Sequence, residues 1–121
     1  MKNRIMLTAA LALIVSMLVS AVAPKGSPQD DYIRKYAPVA VREMYRSGVP
    51  ASITLAQGLL ESRYGQSDLA VKGNNHFGIK CHDWTGKTMY HDDDRRGECF
   101  RVYGTADESF SDHSDFPRYR D

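Results

Sequence analysis

The feature that most limits the fold is an uncharged stretch near the N-terminus. Lys2 and Arg4 precede 18 residues without charge, residues 5–22, and small residues (Ala-Val-Ala) occupy 21–23. This layout is typical of a secretory signal peptide, so we predict that residues 1–23 are a signal peptide. The alternative is an uncleaved anchor, since 18 apolar residues nearly span a bilayer. Either way, about 95 of the residues remain for one small domain.

The remaining chain is close to neutral. The sequence has 16 Lys and Arg against 15 Asp and Glu, and removal of Lys2 and Arg4 leaves 14 basic residues. This balance argues against a nucleic-acid binder, which normally carries an excess of positive charge. We expect an exported monomer, in the periplasm, cell envelope or extracellular space, that touches the membrane only if the N-terminal segment stays uncleaved.

The two cysteines, Cys81 and Cys99, fall in the exported part. An even pair in an oxidising compartment predicts a disulfide. A zinc site built from these cysteines and nearby histidines is disfavoured, because the spacing matches no standard zinc-binding pattern. We therefore expect no metal and no other cofactor.

Apolar periodicity and turn residues predict an α+β fold with a helical lobe and a small antiparallel hairpin lobe. Residues 24–30 form a polar linker, and residues 31–121 form the domain. Helices are predicted near 31–47, from Pro50 through Leu60, at 68–71, and after Thr105, where Thr105 and Glu108 make a capping box. Strands are predicted at 77–80, 87–91 and 99–103, with a hairpin tip at 92–97.

The second helix carries a single charge. Glu61 is the only charged residue between Pro50 and Ser62, and the helix is apolar around most of its girth. We therefore predict that it is packed on most sides, that Glu61 points into a crevice, and that Gly58 leaves space beside it. A carboxyl group in a crevice holds its proton more readily and can act as a general acid. The alternative is a structural Glu in the last helical turn, hydrogen-bonded to nearby backbone.

A glycosidase typically needs a second acid across the cleft from the first. The obvious source is the run Asp92, Asp93 and Asp94 on the hairpin. The alternative is a solvated hairpin tip whose charge is neutralised by Arg95 and Arg96.

Several segments, in this order, resemble the bacterial glucosaminidase family, which is glycoside hydrolase family seventy-three of the lysozyme-like fold. They are SITLAQGLLESRYG at 52–65, SDLA at 67–70, NNHFGIK at 74–80 and FRVY at 100–103. The resemblance implies an endo-β-N-acetylglucosaminidase that cuts peptidoglycan glycan strands, with Glu61 as the catalytic acid. It places a second acid on the hairpin, for which Asp94 is the first choice and Asp92 the next.

The resemblance also suggests residues that line the cleft and bind sugar. These are Gln57, Tyr64, Asn75, Phe77, Tyr90 and Tyr103. Core packing is an equally good explanation for Phe77 and Tyr103. The family often has Gly-Trp where this chain has Arg63-Tyr64. The family domain also continues with further helices, so a truncated domain is expected, and a peptidoglycan-binding fragment without turnover is the alternative function.

Overall fold

A computed structural model describes residues 25–116, so the predicted signal peptide and Pro117 lie outside the described residues. The predicted α+β class, with helices and an antiparallel hairpin, is confirmed. Within residues 25–116, no helix has the length and apolar character needed to cross a membrane. The elements are α1 (Pro28–Ser47), α2 (Ala51–Glu61), α3 (Asp68–Gly73), β1 (Thr88–His91), β2 (Glu98–Arg101) and α4 (Ala106–Asp115).

Helix α1 begins earlier than predicted because Ser27 caps it. The Ser27 hydroxyl accepts the Asp30 N–H at 3.1 Å, and the Asp30 carboxylate accepts the Ser27 N–H at 3.3 Å. This reciprocal capping box satisfies backbone donors that the first helical turn leaves free. Pro38 lies inside the helix without ending it, and Gly48, with φ 83°, closes it. The resulting 20-residue helix packs against both α2 and α4.

Within the described range, 25–116, the sheet has two strands and not the predicted three. β1 and β2 pair antiparallel, with Thr88 opposite Arg101 and His91 opposite Glu98. The predicted strand at 77–80 is wrong, because that segment makes one isolated bridge, from Lys80 to Phe100. The side chain of Asn75 hydrogen-bonds both the N–H and the carbonyl of Ile79. The Asn75 oxygen thus takes the Ile79 N–H, which a strand would have paired with a neighbouring strand, while the Ile79 carbonyl also accepts the Arg101 N–H of β2 at 3.0 Å.

Aromatic side chains dominate the core between α1, α4 and the loop at 75–79. Tyr36 stacks on Phe110 with ring centroids 5.2 Å apart, and Phe77 meets Phe110 edge-on at 4.9 Å. Such pairs stabilise beyond the apolar area that they bury. The core contains the buried residues Tyr32, Val39, Phe77, Ile79, Tyr103 and Phe110.

The prediction that α2 is packed on most sides is wrong. Only Thr54 and Gly58 of this helix are buried, whereas Ile53 is 45% exposed and Leu60 is 73% exposed. A Cβ at Gly58 would lie 2.7 Å from the Tyr32 hydroxyl and 3.3 Å from the Phe77 ring, so this glycine lets α2 approach α1, and Tyr32 and Phe77 fill the space that it leaves. The apolar pattern therefore predicted the helix correctly but not which residues cover its surface.

The two cysteines form a disulfide between the segment after Lys80 and strand β2. The Cα atoms of Cys81 and Cys99 are 5.4 Å apart, and the Cys81 N–H donates to the Cys99 carbonyl at 3.0 Å. The bond closes a loop of 18 residues in sequence separation. It therefore fixes the irregular segment that precedes β1 against the hairpin.

His76 makes the stability of the domain depend on pH. Its imidazole is 3% exposed, and burial, followed by the charge of Lys35, lowers its pKa to about 4. The ordinary value is 6.5. Between these pH values only the unfolded chain takes up the proton, so the folded state loses stability as the pH falls. We expect the free energy of unfolding to be at its full value above pH 6.5 and to drop by about 3 kcal/mol towards pH 4.

Urea unfolding at several pH values checks this expectation. A His76→Gln variant is the matched control, because Gln offers an oxygen acceptor to the Tyr32 hydroxyl, which lies 2.8 Å from His76 Nδ1. The variant should show a flatter profile between pH 6.5 and 4. Identical slopes for the two proteins would contradict the assignment to His76.

Candidate active site

Glu61 lies at the border between the helical lobe and the hairpin. It lines a cavity of about 330 Å³. The walls come from the end of α2, the turn that follows it, the start of α3, the loop at Gly78 and both strands. The lining residues are Glu61, Arg63, Gln66, Ser67, Asp68, Leu69, Gly78, His91, Asp93 and Phe100.

The Glu61 carboxylate faces open volume. The side chain lines a cavity, in line with the predicted crevice, but it is exposed, so the predicted partial burial is wrong. Gly78, with φ 61°, passes beside it: a Cβ built there would lie 4.0 Å from Glu61 Oε2. Across residues 25–116, no hydrogen bond or ion pair engages this carboxylate. The alternative of a structural, backbone-bonded Glu therefore has no support in this part of the chain.

The hairpin contributes one aspartate to this cavity. Asp93 lines it, together with His91 at the end of β1. Asp92 closes the hairpin tip, since its Oδ1 accepts the Gly97 N–H at 2.8 Å. Asp94 lies on the exposed tip and is not part of the cavity wall. The sequence predicted a second acid from this run of aspartates, with Asp94 first and Asp92 next, whereas the member that lines the Glu61 cavity is Asp93.

The turn between α2 and α3 is held in an uncommon backbone conformation. Arg63 and Tyr64 have φ values of 49° and 58°, in the left-handed region that glycine usually occupies. Buried Ser62 fixes the turn, because its hydroxyl accepts the Gly65 N–H at 2.8 Å and its carbonyl accepts the Ser67 N–H at 2.9 Å. Gln66 borders both the Glu61 cavity and a second cavity of about 270 Å³. The turn therefore places Arg63 in the first cavity and Tyr64 in the second.

Three of the six predicted sugar-binding residues lie in the interior. Asn75 is 1% exposed, and its side-chain amide hydrogen-bonds backbone groups of Ile79 and Arg101. Phe77 and Tyr103 are buried in the core, as the alternative explanation held. Burial raises the pKa of Tyr103, and its hydroxyl donates to Asp112 at 2.5 Å. These three residues shape the fold and have no free surface for a ligand.

The other three lie closer to solvent. Tyr64 lines the second cavity, and Tyr90 is 71% exposed on β1. Gln57 is half-buried, with its Oε1 2.8 Å from the Nε2 of His113. Of the six, only Tyr64 and Tyr90 therefore present accessible rings.

Sequence reasoning missed Arg63 and His91 as cavity residues, and it named Asp93 only as a member of the aspartate run. The alternation of side chains along β1 could have indicated His91. Tyr90 is exposed on one face of the sheet, so its neighbour His91 lies on the opposite face. No local signal existed for Arg63, since an arginine in a left-handed backbone position contradicts residue preference.

Metal ligation has no visible basis in the described part of the chain. Residues 25–116 contain no group of three His, Cys, Asp or Glu side chains arranged to hold an ion. Both thiols are used in the disulfide.

Comparison with known proteins gives the same family from sequence and from structure. A family model described as mannosyl-glycoprotein endo-beta-N-acetylglucosaminidase matches residues 37–121. The exo-glucosaminidase LytG of Bacillus subtilis (strain 168) is 44% identical over 71 residues, which are 52% of this chain and 25% of LytG.

Solved structures share the fold. The catalytic domain of the autolysin Auto from Listeria monocytogenes superposes with a TM-score of 0.65 and 25% identity, covering 86% of this chain and 64% of that one. The peptidoglycan hydrolase from Sphingomonas sp. A1 superposes with a TM-score of 0.64 and 31% sequence identity, covering 74% of this chain and 64% of that one.

The chain thus spans a quarter of the curated relative and under two thirds of these structural neighbours. The family match nevertheless covers more than half of the chain and includes Glu61, the turn after α2 and the hairpin. The chain belongs to the glucosaminidase family, as the order of its sequence motifs predicted.

Proposed function

We propose that this protein is a peptidoglycan hydrolase that cleaves glycan strands at N-acetylglucosamine, as an endo-acting β-N-acetylglucosaminidase. The observation that carries the proposal is the Glu61 carboxylate, which faces a cavity of about 330 Å³ and has no partner within residues 25–116. Such a group is free to serve a substrate. The names of Auto, an autolysin, and of the Sphingomonas peptidoglycan hydrolase support this substrate class.

In the proposed reaction, protonated Glu61 donates its proton to the glycosidic oxygen as the bond to the sugar carbon breaks. Positive charge then develops on the sugar ring, and a water oxygen bonds to the same carbon. Asp93 is our candidate for the carboxylate that stabilises this charge or accepts the proton of the water. Its position in the wall of the Glu61 cavity supports it over Asp94 and Asp92.

The three hairpin aspartates can be ranked by substitution. Asp93→Asn should lower the rate of glycan cleavage by about a hundredfold, a typical loss for an acid–base group. Asp94→Asn is the matched control on the same exposed tip, and we expect a smaller loss from it. Asp92→Asn should act mainly on stability, because Asp92 binds the Gly97 N–H. A larger loss in Asp94→Asn than in Asp93→Asn would contradict the assignment.

We also propose that the protein is exported and works as a monomer. Residues 1–23 have the layout of a signal peptide, and the disulfide fits an oxidising compartment. Peptidoglycan lies outside the cytoplasm, so export is a requirement of the proposed activity. The residues given a role in the reaction all come from one chain.

The decisive experiment incubates the secreted protein with purified peptidoglycan and follows new reducing ends, with mass spectrometry of the products. We expect N-acetylglucosamine at the new ends and long soluble fragments early in the reaction. A single small product from the start would instead indicate exo cleavage, as the name of LytG describes. Muramic acid at the new ends would contradict the proposal. If a folded sample binds peptidoglycan but releases no new reducing ends, the result would favour a peptidoglycan-binding fragment.

A further inference from the structure

Arg63 places a cation in an otherwise acidic cavity wall. The residues that line the Glu61 cavity include three carboxylates, Glu61, Asp68 and Asp93, and Arg63 is their only Lys or Arg. The Asp68 carboxylate lies 3.9 Å from the Lys72 ammonium outside the wall. Within the described part of the chain, no carboxylate lies within 4.0 Å of the Arg63 guanidinium. The guanidinium therefore has the capacity to take an anionic group from outside.

The backbone holds Arg63 at this place against its own preference. Its φ of 49° is one that glycine adopts freely and that L-residues with a Cβ disfavour. The Arg63 carbonyl accepts the Gln66 N–H at 3.1 Å, so the strained residue is part of a closed turn. The side chain makes no ion pair in residues 25–116 that would compensate for the strain. A strained residue at a cavity is a reason to look for a function in ligand binding.

We infer that Arg63 is a specificity residue, whose guanidinium binds a carboxylate of the peptidoglycan strand while Glu61 meets the glycosidic bond. This inference rests on the proposed function and narrows its substrate to anionic glycans. Every second sugar of peptidoglycan bears a lactyl group, which is either free as a carboxylate or extended by a peptide that carries carboxylates. Uncharged strands such as chitin lack both. A guanidinium binds a carboxylate through two parallel N–H bonds, which a neutral amide cannot reproduce.

The charge of the wall favours this role for Arg63. An anionic strand that approaches Glu61 also approaches Asp68 and Asp93, and like charges repel in a partly enclosed space. Arg63 offsets that repulsion and fixes the position of the strand. Because it acts on binding and not on proton transfer, we expect its loss to raise KM more than it lowers kcat.

The test compares native soluble glycan strands with the same strands after their carboxylates have been converted to methylamides. The wild type should show a kcat/KM about tenfold lower on the neutralised strands, as expected for one lost charge-assisted contact. Arg63→Asn should be about tenfold slower than wild type on native strands and should no longer distinguish the two substrates. Arg63→Lys keeps the positive charge but cannot form the two parallel N–H bonds of a guanidinium. It should retain part of the preference for native over neutralised strands.

Two further arms separate the possible causes. Strands stripped of peptides by an amidase expose the lactyl carboxylate alone, so loss of the preference on them assigns the contact to the peptide. Asn tolerates the left-handed region, so Arg63→Asn should unfold at the wild-type temperature or above it. Arg63→Gly, which removes the strain, is a second variant with an intact fold and no charge.

Binding provides a readout that does not depend on turnover. Glu61→Gln should bind native strands about ten times more tightly than neutralised ones, and adding Arg63→Asn should abolish that difference. This result would support the role of Arg63 even if no protein form cleaved peptidoglycan, in which case only the proposed function would fail. If Arg63→Asn keeps the wild-type preference in both assays, the inference is overturned.

Discussion

Replacing Glu61 with Gln should lower the release of reducing ends from peptidoglycan by at least about a hundredfold. Gln has nearly the same shape as Glu and can still form hydrogen bonds, but it has no acidic proton to give to the leaving oxygen. Within residues 25–116, the Glu61 carboxylate makes no hydrogen bond or ion pair, so the substitution removes no native contact in that part of the chain. We therefore expect that Glu61→Gln loses cleavage rate but keeps the wild-type midpoint of thermal unfolding.

Glu108→Gln is the matched control for this substitution. Glu108 is exposed on α4, where its Oε2 accepts the Gly104 N–H at 3.1 Å. A Gln oxygen can accept the same bond, and the residue lies outside the Glu61 cavity. The control should cleave peptidoglycan at a rate close to that of the wild type. Equal rates for Glu61→Gln and the wild type would remove Glu61 from the reaction and with it the proposed mechanism.

Local patterns predicted the elements of the fold well. Capping residues and apolar periodicity act over three or four positions, so the helices and the hairpin can be read from the chain itself. The same reasoning placed Glu61 at the end of α2, where the structure has it. It failed for the segment at 77–80, because the Asn75 side chain takes the Ile79 N–H and the segment makes only an isolated bridge, from Lys80 to Phe100.

The site was less predictable because it depends on contacts between distant segments. Which of Asp92, Asp93 and Asp94 lines the cavity depends on which side chain accepts the Gly97 N–H at the hairpin tip. Three identical side chains in a row give no sequence signal for this. The prediction that α2 is buried failed for a similar reason. Apolar composition shows that a helix surface could be buried, but it does not show which segment, if any, covers it. The exposed faces of Ile53 and Leu60 show the difference.

Replacing Asn75 with Ala should lower the free energy of unfolding by about 4 kcal/mol, the largest loss of stability that we expect from a single change. The Asn75 amide donates to the carbonyls of Ile79 and Arg101 at 2.9 and 3.0 Å, and its oxygen accepts the Ile79 N–H at 3.0 Å. Ala offers none of these bonds, and a buried N–H left without a partner costs more than the bond itself contributes. For a small domain this loss is a large part of the total stability.

Asn74→Gly is the control that separates these bonds from the general effect of removing an amide. Asn74 makes a single side-chain bond, to the Tyr103 carbonyl at 2.9 Å, and its φ of 53° suits glycine. Its replacement should cost about 1 kcal/mol, which urea unfolding of both variants can resolve. Because Asn75 also fixes the loop that brings Gly78 beside Glu61, the folded fraction of Asn75→Ala should cleave more slowly than the wild type. Equal stabilities of the two variants would show that the loop is held by other contacts, and the link between the core and the Glu61 cavity would then fail.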